Sequence, residues 1–185
     1  MFFRKKENNS NKKWPIIVIF LIFFITIFFN LYSFYWPKAD IKILDKNLTV
    51  LVADTDDHKY KGWSNREDMG NVDGMMFIYG ELSQHTMVMR DMNFPLDIVW
   101  GVGIDDEGRE CFLNKFGLRK LLTGTYHSCL VKVVDYAPNV DTEIDIPEYA
   151  LTPYFAKQES TIIFELPSGW AKENDLKIGD IIEIL

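Results

Sequence analysis

Ile41-Lys42-Ile43-Leu44-Asp45-Lys46-Asn47-Leu48-Thr49-Val50-Leu51-Val52-Ala53 sets two apolar runs on either side of a polar break. Ile41–Leu44 and Leu48–Ala53 are short, apolar and rich in β-branched residues, as strands are. Asp45-Lys46-Asn47 between them has the composition of a turn. The same grammar recurs downstream in Met75–Tyr79, Thr86–Met89, Leu96–Val102, Leu130–Val134, Thr161–Leu166 and Ile181–Ile184. Asp105-Asp106-Glu107-Gly108 reads as a hairpin turn, and Leu176-Lys177-Ile178-Gly179-Asp180 as a turn into the last strand. Many short strands separated by turn signals predict an all-β sandwich or barrel. Two short helices interrupt it. Thr55 or Asp54 caps one over Asp56–Lys61, with acids in its first turn and Gly62 at its end. Pro167–Asn174 supplies one or two helical turns.

Outward from this β-rich part the chain changes character. The full sequence has 185 residues, 48% of them hydrophobic, and a net charge of −7, but these figures are sums over unlike parts. Eight of the fourteen Phe residues precede Pro37, and Trp14 to Pro37 holds no charged side chain. Arg4, Lys5, Lys6, Lys12 and Lys13 against Glu7 give residues 1–13 a charge of +4, which leaves −11 on residues 38–185. Trp14 to Trp36 is 23 residues. As a helix that length spans about 34 Å, against roughly 30 Å for a bilayer core. Trp14 at one end and Tyr32, Tyr35 and Trp36 at the other suit the aromatic belts, and the basic tail belongs in the cytoplasm. A cleaved signal peptide has the same charge order, but its cleavage site needs small residues, whereas Leu31–Ala39 is bulky and aromatic. The expected organisation is a cytoplasmic tail (1–13), an uncleaved single-pass transmembrane signal anchor (14–36), a short linker at 38–40 and an extracytoplasmic domain (41–185) at the cell membrane.

Two consequences follow. A domain at −11 repels phosphate, which excludes nucleic-acid binding through a general field. The only cysteines, Cys111 and Cys129, both fall in the exported part, where an even pair commonly forms a disulfide, worth about 3 kcal/mol. Two separate buried thiols are the other reading.

An ordered series of motifs carries a resemblance. Val52-Ala53-Asp54-Thr55 is followed by Gly62 and Arg66, by Gly74-Met75-Met76-Phe77 and by Pro95-Leu96-Asp97-Ile98. Glu165-Leu166-Pro167-Ser168-Gly169-Trp170-Ala171 and Leu176–Asp180 close it. The series resembles the uncharacterised family called domain of unknown function 192, over about residues 48–103 and 155–185. The resemblance implies an exported, often membrane-tethered β-domain of jelly-roll type with short helices, and no activity. The chain departs from the family at Val88-Met89-Arg90-Asp91-Met92, where a Trp-Met-Lys-Asn-Thr-like run is usual, and at Gly62-Trp63-Ser64, where Gly-Leu-Met is usual. Residues 104–154 are longer than the family's middle. They read as an inserted segment stapled by the two cysteines.

Candidate chemistry centres on Arg66, Arg90, Asp91 and Asp97, with Met89 beside them. Asp97 lies inside an apolar strand, where a carboxylate must find a partner. One reading is a polar cleft binding an anion or sugar, and the other is an internal brace such as Arg66 with Asp97. Six of the seven methionines lie between Met69 and Met92, a run that suits an irregular core better than a copper(I) site. His58, His85 and His127 lack zinc spacing, the acids around Asp54 lack the calcium-loop pattern, and Ser128, His127 and Asp135 make no nucleophile elbow. Nothing in the sequence calls for a metal or cofactor. The functional expectation is binding of an envelope glycan, a small ligand or a partner protein; the alternative is an envelope enzyme using an Asp/Arg acid–base site.

Overall fold

The structure, a computed structural model, describes residues 14–33, 35–105, 107–109 and 130–185, with side chains of the first helix described as far as Ile27. The chain divides into two compact units, Met1–Tyr35 and Trp36–Leu185. In the first, helix α1 runs Trp14–Ser33. Its one central polar group, Thr26, donates to the carbonyls of Ile22 (3.1 Å) and Phe23 (2.8 Å), which keeps the hydroxyl satisfied on an apolar surface. Among the described residues no helix is long and apolar enough to cross a membrane.

The second unit is mostly β. Its strands are β1 (Lys38–Ile43), β2 (Lys46–Ala53), β3 (Gly74–Ser83), β4 (Thr86–Met87), β5 (Leu96–Ile104), β6 (Leu130–Val140), β7 (Tyr154–Phe155), β8 (Ser160–Pro167) and β9 (Ile181–Ile184). Its helices are α2 (Asp56–Lys61) and α3 (Trp170–Glu173). Seven strands close a barrel in the order β1-β2-β3-β8-β5-β6-β9, and β4 pairs only with β7. The opening hairpin is as predicted, but tighter. Lys38 pairs with Leu51 and Ile43 with Lys46 around Leu44-Asp45, Leu44 taking φ 54°. Residues 38–40, expected to be a linker, are therefore the start of β1, paired with Thr49–Leu51 in the barrel wall.

The sheet differs from a jelly roll, whose strands lie in two antiparallel sheets. Here β2 and β3 run parallel, joined by the crossover that carries α2, and the sheet closes on itself. Leu130–Val140 lies within the stretch read as an insertion, yet as β6 it pairs with both β5 and β9 and completes the wall. Cys111 and Cys129, and with them the expected disulfide, lie outside the described residues.

Strand alternation sorts the apolar residues into two cores. One parity (Ile41, Val50, Met76, Val99, Val133, Ile162, Phe164 and Ile182 among others) fills the barrel interior. The opposite parity on β2, β3, β5 and β8 (Leu51, Phe77, Trp100, Ile163) faces outward and is covered by Trp63, Met87, Met89 and Met92. Each such side chain contributes about 1.5–3 kcal/mol by leaving water. The second core explains the methionine run. Residues 63–73 and 88–94, on either side of β3, lie irregularly over a curved wall, and unbranched side chains fill such gaps, while Met76 of β3 faces the barrel interior. At Gly74 the strands approach so closely that a Cβ would stand 2.5 Å from the Glu165 carbonyl oxygen.

Candidate functional site

The site is built where the crossover lies on the outer wall. Thr55 caps α2 by accepting from the His58 amide (3.2 Å), and Gly62, at φ 44°, ends it by donating to the His58 carbonyl (2.8 Å). That turn sends Trp63 straight back into the outer core, where it is 1% exposed. The end of α2, Trp63, and the Thr86–Met92 segment leave a cavity of about 140 Å³ against β3 and β8. Its apolar lining is Trp63, Phe77, Met87 and Met92, and its rim holds Lys59, Tyr60, Lys61, Ser64 and Arg90.

Glu165 of β8 lines the same cavity. It shares the outward parity of Ile163, is 3% exposed, and its Oε2 has no hydrogen-bond partner. Burial pushes its carboxyl up to about 8, so the neutral acid prevails at pH 7. Tyr79 lies close by on β3. Burial, and then the Glu165 charge, raise its phenol to about 12. Its hydroxyl donates to Met87 Sδ (3.6 Å), and its ring is stacked with His85 at 3.7 Å. Lys59 Nζ lies 4.8 Å from that ring's centre, a cation–π contact. Neither Lys59 nor Lys61 is in an ion pair among the described residues.

The five residues singled out by sequence go to different places. Arg90 alone of them lines the cavity. Its guanidinium forks onto both oxygens of Glu148, donates to the Tyr60 carbonyl (2.9 Å) and lies 4.2 Å over the Tyr60 ring. That fork raises the Arg90 pKa and lowers that of Glu148. Met89 is fully buried in the outer core. Asp91 takes φ 48° and acts through its backbone, its N–H donating to the Glu143 carbonyl (2.9 Å) and its C=O accepting from Asn65 (2.8 Å). Arg66 lies 5.0 Å from the Trp36 ring and 5.2 Å from the Trp63 ring, and burial lowers its pKa.

Asp97 does not meet Arg66. Its parity turns it to the barrel interior, 0% exposed, at the end plugged by α3. Oδ1 accepts from the amides of Asn139 (2.8 Å) and Gly169 (2.9 Å), and Oδ2 from Ala171 (2.7 Å). The carboxylate thus caps the first turn of α3 and ties it to β6, a better solution than an ion pair for a charge so deep. Its oxygens are occupied by structural bonds, which argues against an acid–base role.

Glu165, Tyr79 and Trp63 were not singled out. The signal existed for Glu165: a charged residue inside an apolar strand, the same argument that flagged Asp97. Among the described residues no three His, Cys, Asp or Glu side chains gather as a metal site.

Residues 39–109 match the family described as "Uncharacterized ACR, COG1430", domain of unknown function 192. A search of the curated proteins finds no match. Two solved structures are similar in fold. A candidate transcription regulator from Sinorhizobium meliloti is 18% identical with a TM-score of 0.58, over 80% of this chain and 95% of that one. A protein of unknown function from Novosphingobium aromaticivorans is 21% identical with a TM-score of 0.53, over 80% and 84%. At these identities the likeness is one of fold alone.

Proposed function

We propose that this chain, which carries the pattern of domain of unknown function 192 over residues 39–109, is a membrane-anchored, extracytoplasmic binding domain for a small envelope ligand. The observation that carries the binding half is Glu165, a residue that lines the cavity and whose buried carboxyl has one oxygen, Oε2, without a hydrogen-bond partner among the described residues. A buried polar atom without a partner costs about 1–3 kcal/mol, and a ligand group that meets it recovers that cost. The cavity is close in size to the ~150 Å³ site that holds one benzene ring in an engineered protein. Binding is favoured over catalysis because Asp97 is spent on backbone amides and Arg90 on Glu148.

The anchoring half rests on the uncharged run from Trp14 to Pro37, its flanking aromatics and the +4 tail. Protease added to intact spheroplasts tests it: digestion of residues 38–185 with an amino-terminal tag protected is expected, and full protection would refute it. For binding, the probes are N-acetylglucosamine, D-alanyl-D-alanine and small aryl acids, read by methionine-methyl NMR. Saturable shifts at Met87 and Met92 are expected. Shifts confined to other methionines would refute the site.

A further inference from the structure

We propose that the cavity selects a small organic monoanion, whose charged end stays at Lys59 and Lys61 while an uncharged hydroxyl at its far end reaches Glu165. This rests on the binding reading above and names its ligand class. Three observations carry it. The rim carries positive charge: Lys59 and Lys61, at the end of α2, both line the cavity, and among the described residues neither is in an ion pair. The nearby Arg90 is paired with Glu148, so among the described lining residues the cations outside an ion pair are the two lysines. The body of the cavity is aromatic and thioether, from Trp63, Phe77, Met87 and Met92, which suits a flat apolar ligand body. The most buried polar side chain in the lining is Glu165, 3% exposed, whose Oε2 has no hydrogen-bond partner among the described residues.

The electrostatic order is therefore positive at the entrance and neutral at the floor. An organic cation would be repelled at the rim before reaching Glu165. A dianion would carry a second charge into the apolar body, where desolvation is costly. A neutral molecule would bind, but would leave the lysines unused. The titratable groups that share the cavity lining with Glu165 are consistent with this order. Tyr79 comes from β3, Lys59 and Lys61 from α2, and Arg90 from the segment after β4, while the residue paired with it on β5 is Ile98.

Four aryl probes of one size separate the possibilities: 4-hydroxybenzoate, benzoate, phenol and benzylamine, titrated into the full chain in detergent micelles. Methionine-methyl NMR reads Met87 and Met92 as site reporters and Met76, inside the barrel, as the control. 4-Hydroxybenzoate is expected to bind most tightly, with benzoate about tenfold weaker for want of the hydroxyl. Lys59→Met with Lys61→Met should weaken 4-hydroxybenzoate about tenfold and leave phenol unchanged. Raising the pH from 7 to 9 should weaken 4-hydroxybenzoate by tenfold or more, because a charged floor repels the ligand. Glu165→Gln should abolish that pH dependence while retaining affinity at pH 7. Phenol or benzylamine binding as tightly as 4-hydroxybenzoate would overturn the anion selection and leave the cavity as a ligand site. No saturable shift at Met87 or Met92 with any of the four would overturn both. The lysine variants lie on the surface, so they decide the charge question even if the Glu165 variant fails to fold.

Discussion

Replacing Glu165 by Gln should make the domain more stable in alkali, although it removes a charged residue. The carboxyl is buried without a partner, and its pKa of about 8 compares with an ordinary value of 4.5. Between those values the folded state holds a proton that the unfolded state has released. Stability from this group is therefore complete below pH 4.5, falls as pH rises through that window, and levels off above about pH 8. At about 1.36 kcal/mol per tenfold change in proton activity, the loss is about 4 kcal/mol between pH 5 and pH 9. That is a large share of the 5–15 kcal/mol typical of a domain. Glutamine keeps the shape and cannot ionise, so its stability lacks this term. The assay is urea unfolding of the wild-type full chain and Glu165→Gln in the same detergent at pH 5, 7 and 9. Subtracting one from the other removes the histidines and every other shared titration. The two proteins should be nearly equal at pH 5, and the variant more stable at pH 9 by about 4 kcal/mol. A difference that changes by less than about 1 kcal/mol across that range would refute the reasoning, because it would mean that water or a partner solvates the carboxyl.

Other perturbations test separate parts of the account. Asp97→Asn keeps one acceptor oxygen but turns an amide NH₂ toward one of the three backbone N–H donors, so the urea midpoint should fall by the equivalent of about 2–3 kcal/mol. Gly74→Ala places a methyl 2.5 Å from the Glu165 carbonyl oxygen, and should cost at least about 2 kcal/mol or yield insoluble protein. Glu148→Gln breaks the fork to Arg90 at an exposed side chain, and should move the midpoint far less than either.

The strands were legible because each is a short apolar run between turn residues, and α2 because Thr55 and Gly62 mark its ends by side-chain chemistry and φ. The choice of a barrel over a sandwich was not, since closure depends on β9 pairing with both β1 and β6, Ile182 opposite Ile43 and Ile181 opposite Lys132, far apart in sequence. Local periodicity carries no information on such a pairing. The parallel β2–β3 pair was hidden for the same reason: nothing in either strand specifies its neighbour's direction. The fates of the two acids turn on strand parity. Asp97 and Glu165 are both acids in apolar strands, but one faces the barrel interior, where backbone amides meet it, and the other faces the outer core, where nothing does. Sequence flags the cost of burying a carboxylate, while only the fold shows which one is compensated.

The central claim is that Glu165 is a buried, unpartnered acid at a ligand cavity, and its own titration tests this most directly. In carboxyl-detected ¹³C NMR on the full chain, the Glu165 side-chain resonance should titrate near pH 8. Saturating 4-hydroxybenzoate should move that midpoint upward, since the bound anion favours the protonated acid. A midpoint in the ordinary glutamate range, near about 4.3, with no response to the probe, would contradict the account.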